Sequence, residues 1–156
     1  MTIRLRTTLY ALLPLTFAGA LPAQGPTVDI YTVKDLKTMG QALAQGGKPF
    51  ASRNLTRYGN HYTMLAMREA TGSSEVHEHE ADIFVVENGQ ATIVTGGKVV
   101  NPHTEKPGEI RGTSITGGER HQLATGDIIH IPAGVPHQLV IEKAPFDYFV
   151  IKVTGQ

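Results

Sequence analysis

At 156 residues, 40% hydrophobic and 18% charged, the chain has room for one domain with a respectable core and little more. Its formal net charge is zero and it holds no Lys/Arg block, so nucleic acid is not expected as a partner. With no cysteine, disulfides and thiolate ligands are excluded, and any metal site must be built from His and carboxylate.

Residues 1–23 have the layout of a secretory signal peptide. Arg4 and Arg6 precede an apolar run from Leu9 to Ala20, and small residues follow at Ala18-Gly19-Ala20 and Ala23. Cleavage is expected after Ala20 or Ala23, which makes the mature protein secreted or periplasmic. The apolar run is short for a span and contains Pro14, so no stable membrane anchor is expected. No cysteine follows that could carry a lipid. Loss of Arg4 and Arg6 leaves 12 basic residues against 14 acidic ones, a net of −2.

Residues 24–49 read as a tether and an amphipathic helix. The stretch "TVKDLKTMGQALAQGG" (32–47) has apolar residues at 33, 36, 39 and 43, which is helical spacing. Gly46-Gly47 stops it, and Gly40 inside it costs some stability. Residues 50–156 form the predicted β domain, with 17 glycines and 9 prolines in the whole chain favouring turns. Strand-like runs cover 61–69, 82–87, 90–96, 127–132, 137–142 and 146–153. Asn88-Gly89 between two of them is a hairpin signal. The stretch 97–119 is polar and Gly/Pro-rich and reads as a long loop or irregular hairpin. Phe84, Val86, Ile93, Leu139, Ile141, Phe149 and Ile151 read as core or cavity wall. So many short strands suggest a sandwich or barrel.

Two segments carry the chemistry. "EVHEHEAD" (75–82) packs two histidines and four carboxylates into eight positions. His77 and His79 lie two apart, so on a regular strand they share a face. Two imidazoles aimed at one point suit a transition metal, though a solvated, charge-rich loop is the plainer account of an isolated pair. "GDIIHIPAGVPHQLV" (126–140) spaces Gly126, Pro132, Gly134 and His137 as G-x5-P-x-G-x2-H. Pro132 and Gly134 make a tight turn that delivers His137 to the start of a strand. Among other residues, His121 is a candidate acid or base and Tyr62 a candidate proton donor, with surface exposure and packing as their ordinary alternatives. His130 alternates with Ile129 and Ile131, which places it on the opposite face, and His103 reads as solvated.

Together the two segments resemble the cupin family, whose motifs are G-x5-H-x-H-x3–4-E-x6-G and G-x5-P-x-G-x2-H-x3-N. The second is matched at Gly126, Pro132, Gly134 and His137, with Ile141 in place of the final Asn. The first is matched as Gly72-x4-His77-x-His79-x2-Asp82-x6-Gly89, one residue short after Gly72, with a shorter link after His79 and Asp for Glu. The resemblance covers roughly residues 60–153. It implies an all-β jelly-roll β-barrel, preceded here by the short helix. It also implies one divalent transition metal (Fe, Mn, Zn or Ni) held by His77, His79, Asp82 and His137. Glu80 is the rival of Asp82, which lies five positions beyond His77 and needs a bulge to return to the same face. Such a set leaves coordination positions open. The implied function is a metal-dependent enzyme on a small organic substrate, of dioxygenase, isomerase or lyase type. The alternative is a non-catalytic module that binds a small ligand. A homodimer is the expectation by resemblance.

Overall fold

The computed structural model describes residues 28–155, so the signal peptide expected at 1–23 lies outside the described residues. The chain divides into two units, Met1–Ile30 and Tyr31–Gln156. Of the first, only Val28, Asp29 and Ile30 are described, and they have no regular structure. The second carries every element among the described residues. Among the described residues, no helix is long and apolar enough to cross a membrane.

The single described helix, α1 (Val33–Ala44), lies where the 32–47 periodicity places it. A reciprocal capping box starts it: Asp35 N–H donates to Thr32 Oγ1 at 3.2 Å, and Thr32 N–H donates to Asp35 Oδ2 at 3.1 Å. Leu36 and Gly40 form its buried stripe, while Val33 is exposed. A Cβ on Gly40 would stand 3.1 Å from Asp147 Oδ2, so the glycine that weakens the helix permits its close approach to a strand.

Eleven strands follow: β1 (Phe50–Arg57), β2 (His61–Arg68), β3 (Ser74–His77), β4 (Glu80–Thr95), β5 (Lys98–Val100), β6 (His103–Lys106), β7 (Glu109–Gly112), β8 (Ser114–Thr116), β9 (Glu119–Ala124), β10 (Ile128–Ile131) and β11 (His137–Thr154). β4 and β11 are the long ones and pair antiparallel almost end to end, from His137↔Thr95 to Thr154↔Glu80. Each serves two halves of the barrel. One run is β1-β2-β11-β4-β10, through the late part of β11 and the early part of β4. The other is β6-β7-β3-β11-β4-β9, through the opposite ends of the same two strands. Their inner faces meet in one core of Phe84, Val86, Ile93, Leu139, Phe146, Tyr148 and Val150, with smaller neighbours.

Two expectations need correction, and one alternative is decided. Asn88-Gly89 is not a hairpin, because β4 runs straight through it. Gly89 has φ +86°, and a Cβ there would run into the Pro145 carbonyl oxygen. The register shifts on β11 at the same level, around Lys143 and Asp147. The left-handed residue therefore bends a paired ribbon rather than reversing the chain. The stretch 97–119 takes the irregular-hairpin alternative rather than the loop: β6 pairs β7 with a register shift and extends the large sheet, and β5 pairs β8 outside them. Phe149 and Ile151 lie outside the core cluster, which takes Phe146, Tyr148 and Val150 instead. "FDYFVIKV" is apolar at nearly every position, so its pattern does not choose a face. Phe149 turns the other way and its ring meets Tyr31, centroids 6.0 Å apart. Ile141 packs partly buried against the core.

Candidate metal centre

The second segment folds as its residues dictate. Gly134 has φ +78°, and Val135 N–H donates to the Pro132 carbonyl at 3.2 Å, closing the turn between β10 and β11. Gly134 N–H also donates to the His77 carbonyl at 2.8 Å, which ties this turn to the end of β3. His77 and His137 are thereby brought together, ring centroids 5.2 Å apart, both buried.

Each ring is oriented through its other nitrogen. His77 Nδ1 faces Glu109 Oε2 at 2.7 Å, and His137 Nδ1 donates to the Val135 carbonyl at 3.1 Å. That leaves both Nε2 atoms pointing inward, buried and without a hydrogen-bond partner. Asp82 Oδ2 lies 3.4 Å from one and 3.6 Å from the other, and Glu75 Oε2 lies 3.4 Å from His77 Nε2. Ligand atoms of Glu75, His77 and His137 all fall within 4.8 Å of one another. Buried polar atoms are rarely left orphaned. Two imidazole nitrogens aimed at carboxylate oxygens, each ring braced by an outer partner, are what a divalent ion needs. The residues present fit such an ion.

The carboxylates are also held by cations. Lys152 Nζ lies 2.7 Å from Asp82 Oδ1, Arg68 Nη2 lies 3.0 Å from Glu75 Oε1, and Arg111 Nη1 contacts Glu75 Oε2. Burial by itself would raise the Glu75 carboxyl, but His77, Arg111, His137 and Arg68 hold it well below the usual carboxylate range. Burial also disfavours charge on both imidazoles. For His77 the neighbouring Glu75, Asp82 and Glu109 outweigh it and the net shift is upward. For His137 burial wins and the shift is downward, toward the neutral form that ligates a metal.

Of the residues singled out from sequence, His77, Asp82 and His137 come together here. His79 does not: β3 ends at His77, the chain bends at 78–79, and His79 is exposed beside Gly108. The same bend, rather than a bulge inside one strand, returns Asp82 to the inner face, 2% exposed. Glu80 points elsewhere and accepts a hydrogen bond from Tyr62 OH at 3.1 Å. Burial and Glu80 push the Tyr62 hydroxyl's pKa upward, so it stays protonated. His121 is exposed on β9, 3.6 Å from Glu119, away from the cluster, and His130 is exposed on β10. The sequence reading missed Glu75, Glu109, Arg68, Arg111 and Lys152 as site residues. Glu75 was within reach: it stands two positions before His77, so the alternation that paired His77 with His79 pairs it equally with Glu75. A cavity of about 390 Å³ adjoins the cluster, with Met64, Phe84, Tyr148 and Val150 on its apolar side.

Solved structures share this architecture. One is a conserved protein with a double-stranded β-helix domain from Klebsiella pneumoniae subsp. pneumoniae MGH 78578, at TM-score 0.57 and 16% identity over 83% of this chain and 93% of that one. Another is the cupin domain of Schizosaccharomyces pombe Cnp3, at TM-score 0.52 and 9% identity over 69% and 66%. The chain has the cupin fold. The cupin barrel is also similar to the DMSP lyase DddQ from Ruegeria pomeroyi DSS-3, at TM-score 0.50 and 19% identity, covering 70% of this chain but only 49% of that protein. A family model, the AraC-like ligand binding domain, matches residues 111–156, from β7 to the C-terminus. No curated protein matches the chain.

Proposed function

We propose that this cupin binds one divalent transition metal through His77 and His137, with Glu75 and Asp82 as its carboxylates, and acts as a metal-dependent enzyme on a small organic molecule. The observation that carries the proposal is the pair of buried Nε2 atoms without hydrogen-bond partners, converging on carboxylate oxygens. When bound, the ion supplies Lewis acidity beside the cavity. The chain's own part is to orient the imidazoles through Val135 and Glu109, with burial favouring the neutral form of His137, to admit the substrate along the apolar wall, and to keep a protonated hydroxyl, Tyr62, on the cavity lining. Export of the mature chain belongs to the same proposal and rests on residues 1–23; full-length protein retained in the cytoplasm on cell fractionation would refute it.

The test is elemental analysis of protein purified without a His tag. A transition metal near one equivalent, lost in the His77→Ala/His137→Ala variant, is the expected result. A wild-type protein that stays metal-free after incubation with Fe, Mn, Zn and Ni would overturn the reading. The match to a ligand-binding family over 111–156 favours a second reading, a module that captures a small molecule without turning it over. Metal-dependent turnover in a screen of phenolic, keto-acid, thiol and sugar substrates decides for the enzyme; saturable binding without turnover decides for the module.

A further inference from the structure

The site ends in two arms. On one side the register aligns Asp82 on β4 with Lys152 on β11, Lys152 with Tyr62 on β2, and Tyr62 with Arg57 on β1. On the other it aligns His77 on β3 with Glu109 on β7, and Glu109 with Lys106 on β6. β1 and β6 are the two ends of the strand order, so both arms run from the histidine cluster to a sheet edge and finish in a cation. Arg57 and Lys106 both line the cavity and both are exposed at its rim.

These two cations differ from the three inside. Lys152, Arg68 and Arg111 are each matched to a carboxylate of the site within ion-pair distance. Arg57 and Lys106 make no ion pair among the described residues. The Arg57 guanidinium lies over the Tyr62 ring, 4.3 Å from its centroid, which leaves its N–H edge available. The carboxylate beside Lys106, Glu105, is engaged by Arg111 at 2.8 Å. Glu75, Asp82 and Glu109 are the only acids on the lining, against five cations. The excess is positive before any metal is counted, and it lies at the rim.

We infer that the molecule this barrel takes is an organic carboxylate, its carboxylate held between Arg57 and Lys106 and its other end directed at His77 and His137. The inference rests on the proposed function for the inner end alone; the outer clamp needs no metal. Strands about 4.8 Å apart place Arg57 about 14 Å of sheet from Asp82 and Lys106 about 10 Å from His77. Two long side chains shorten that gap to the length of a substituted benzoate or a short-chain acid, which the cavity of about 390 Å³ accommodates.

The probes are 3,4-dihydroxybenzoate and its methyl ester, matched in shape and differing in one charge. Calorimetric titration of the full chain at low salt should show the acid binding about tenfold more tightly than the ester, the worth of a charge-assisted hydrogen bond at a wetted site. The preference should shrink as NaCl is added. Arg57→Gln/Lys106→Gln should reduce it to about threefold or less while metal content and thermal midpoint stay as in wild type. Chelated, metal-free protein should bind both probes more weakly yet keep the preference. A preference that disappears in the double variant of a chain found to carry no metal would sink the proposed function and leave the clamp standing. Equal binding of acid and ester, a preference that survives the double variant, or no binding of either probe overturns the clamp.

Discussion

The inner face of the β4–β11 pair changes character along its length. At one level Phe84 faces Val150 across the ladder, and Val86 faces Tyr148, in a closed apolar core. One step further along the same face, Asp82 faces Lys152, equally buried. The apolar region stabilises the fold without needing particular partners. The ionic region is tolerated only because each charge has another beside it, since desolvating an ion costs more than most pairs return. One strand pair thus supplies both the stability of the barrel and the part of it that works against stability, separated by two residues.

Breaking the apolar region should cost most. Phe146→Ala, at a fully buried ring, should lower unfolding free energy by about 3–5 kcal/mol in urea titration, with metal stoichiometry unchanged at saturating metal. Breaking one partner of the ionic region comes next. Asp82→Asn leaves the Lys152 ammonium buried beside neutral groups and should cost about 3 kcal/mol. Adding Lys152→Met should recover much of that, and an additive double-mutant cycle would show that the two do not interact. Gly89→Ala tests the bend that joins the two regions. With φ +86° and the Pro145 carbonyl in the way, it should cost about 2 kcal/mol and leave the ionic network intact by NMR shifts of His77 and His137.

The smallest effect comes from Asp147, on the outer face of the same strand, whose Oδ1 is buried without a partner. Burial raises its carboxyl pKa despite the hydrogen bond from Asn88. A carboxyl raised in the folded state lends stability fully below its unfolded value and loses it as pH rises through the folded one. Asp147→Asn should therefore stabilise the protein at pH 7, by only a few tenths of a kcal/mol (~0.3) because the group is half exposed. The gain should fade toward pH 4; a gain that grows on acidification would contradict the burial account.

The parts legible in sequence were those built from short-range geometry. Pro132 and Gly134 set a turn whatever surrounds them, and that turn delivers His137. The capping residue and apolar spacing of α1 act within one helical turn. Asn88-Gly89 misled because a positive φ is equally good for a reversal or for a bend, and only the paired kink in β11 selects the bend. His79 misled because alternation holds only while the strand lasts, and β3 stops at His77, where Glu78 N–H donates to the Gly108 carbonyl of the next turn. Glu109 and Arg111 were hidden in a stretch too polar to read as strands; they are strands because β3 offers them an edge to pair with.

By itself, the sequence determined that a small cysteine-free β domain would place His137 after a rigid turn and would draw any metal donors from imidazole and carboxylate. Only the tertiary structure decided which carboxylates stand beside the imidazoles and which charges oppose them. Glu75, Asp82, Glu109 and Lys152 converge through the register of strands distant in the chain, and register is set by how whole faces bury together rather than by the spacing of neighbouring residues.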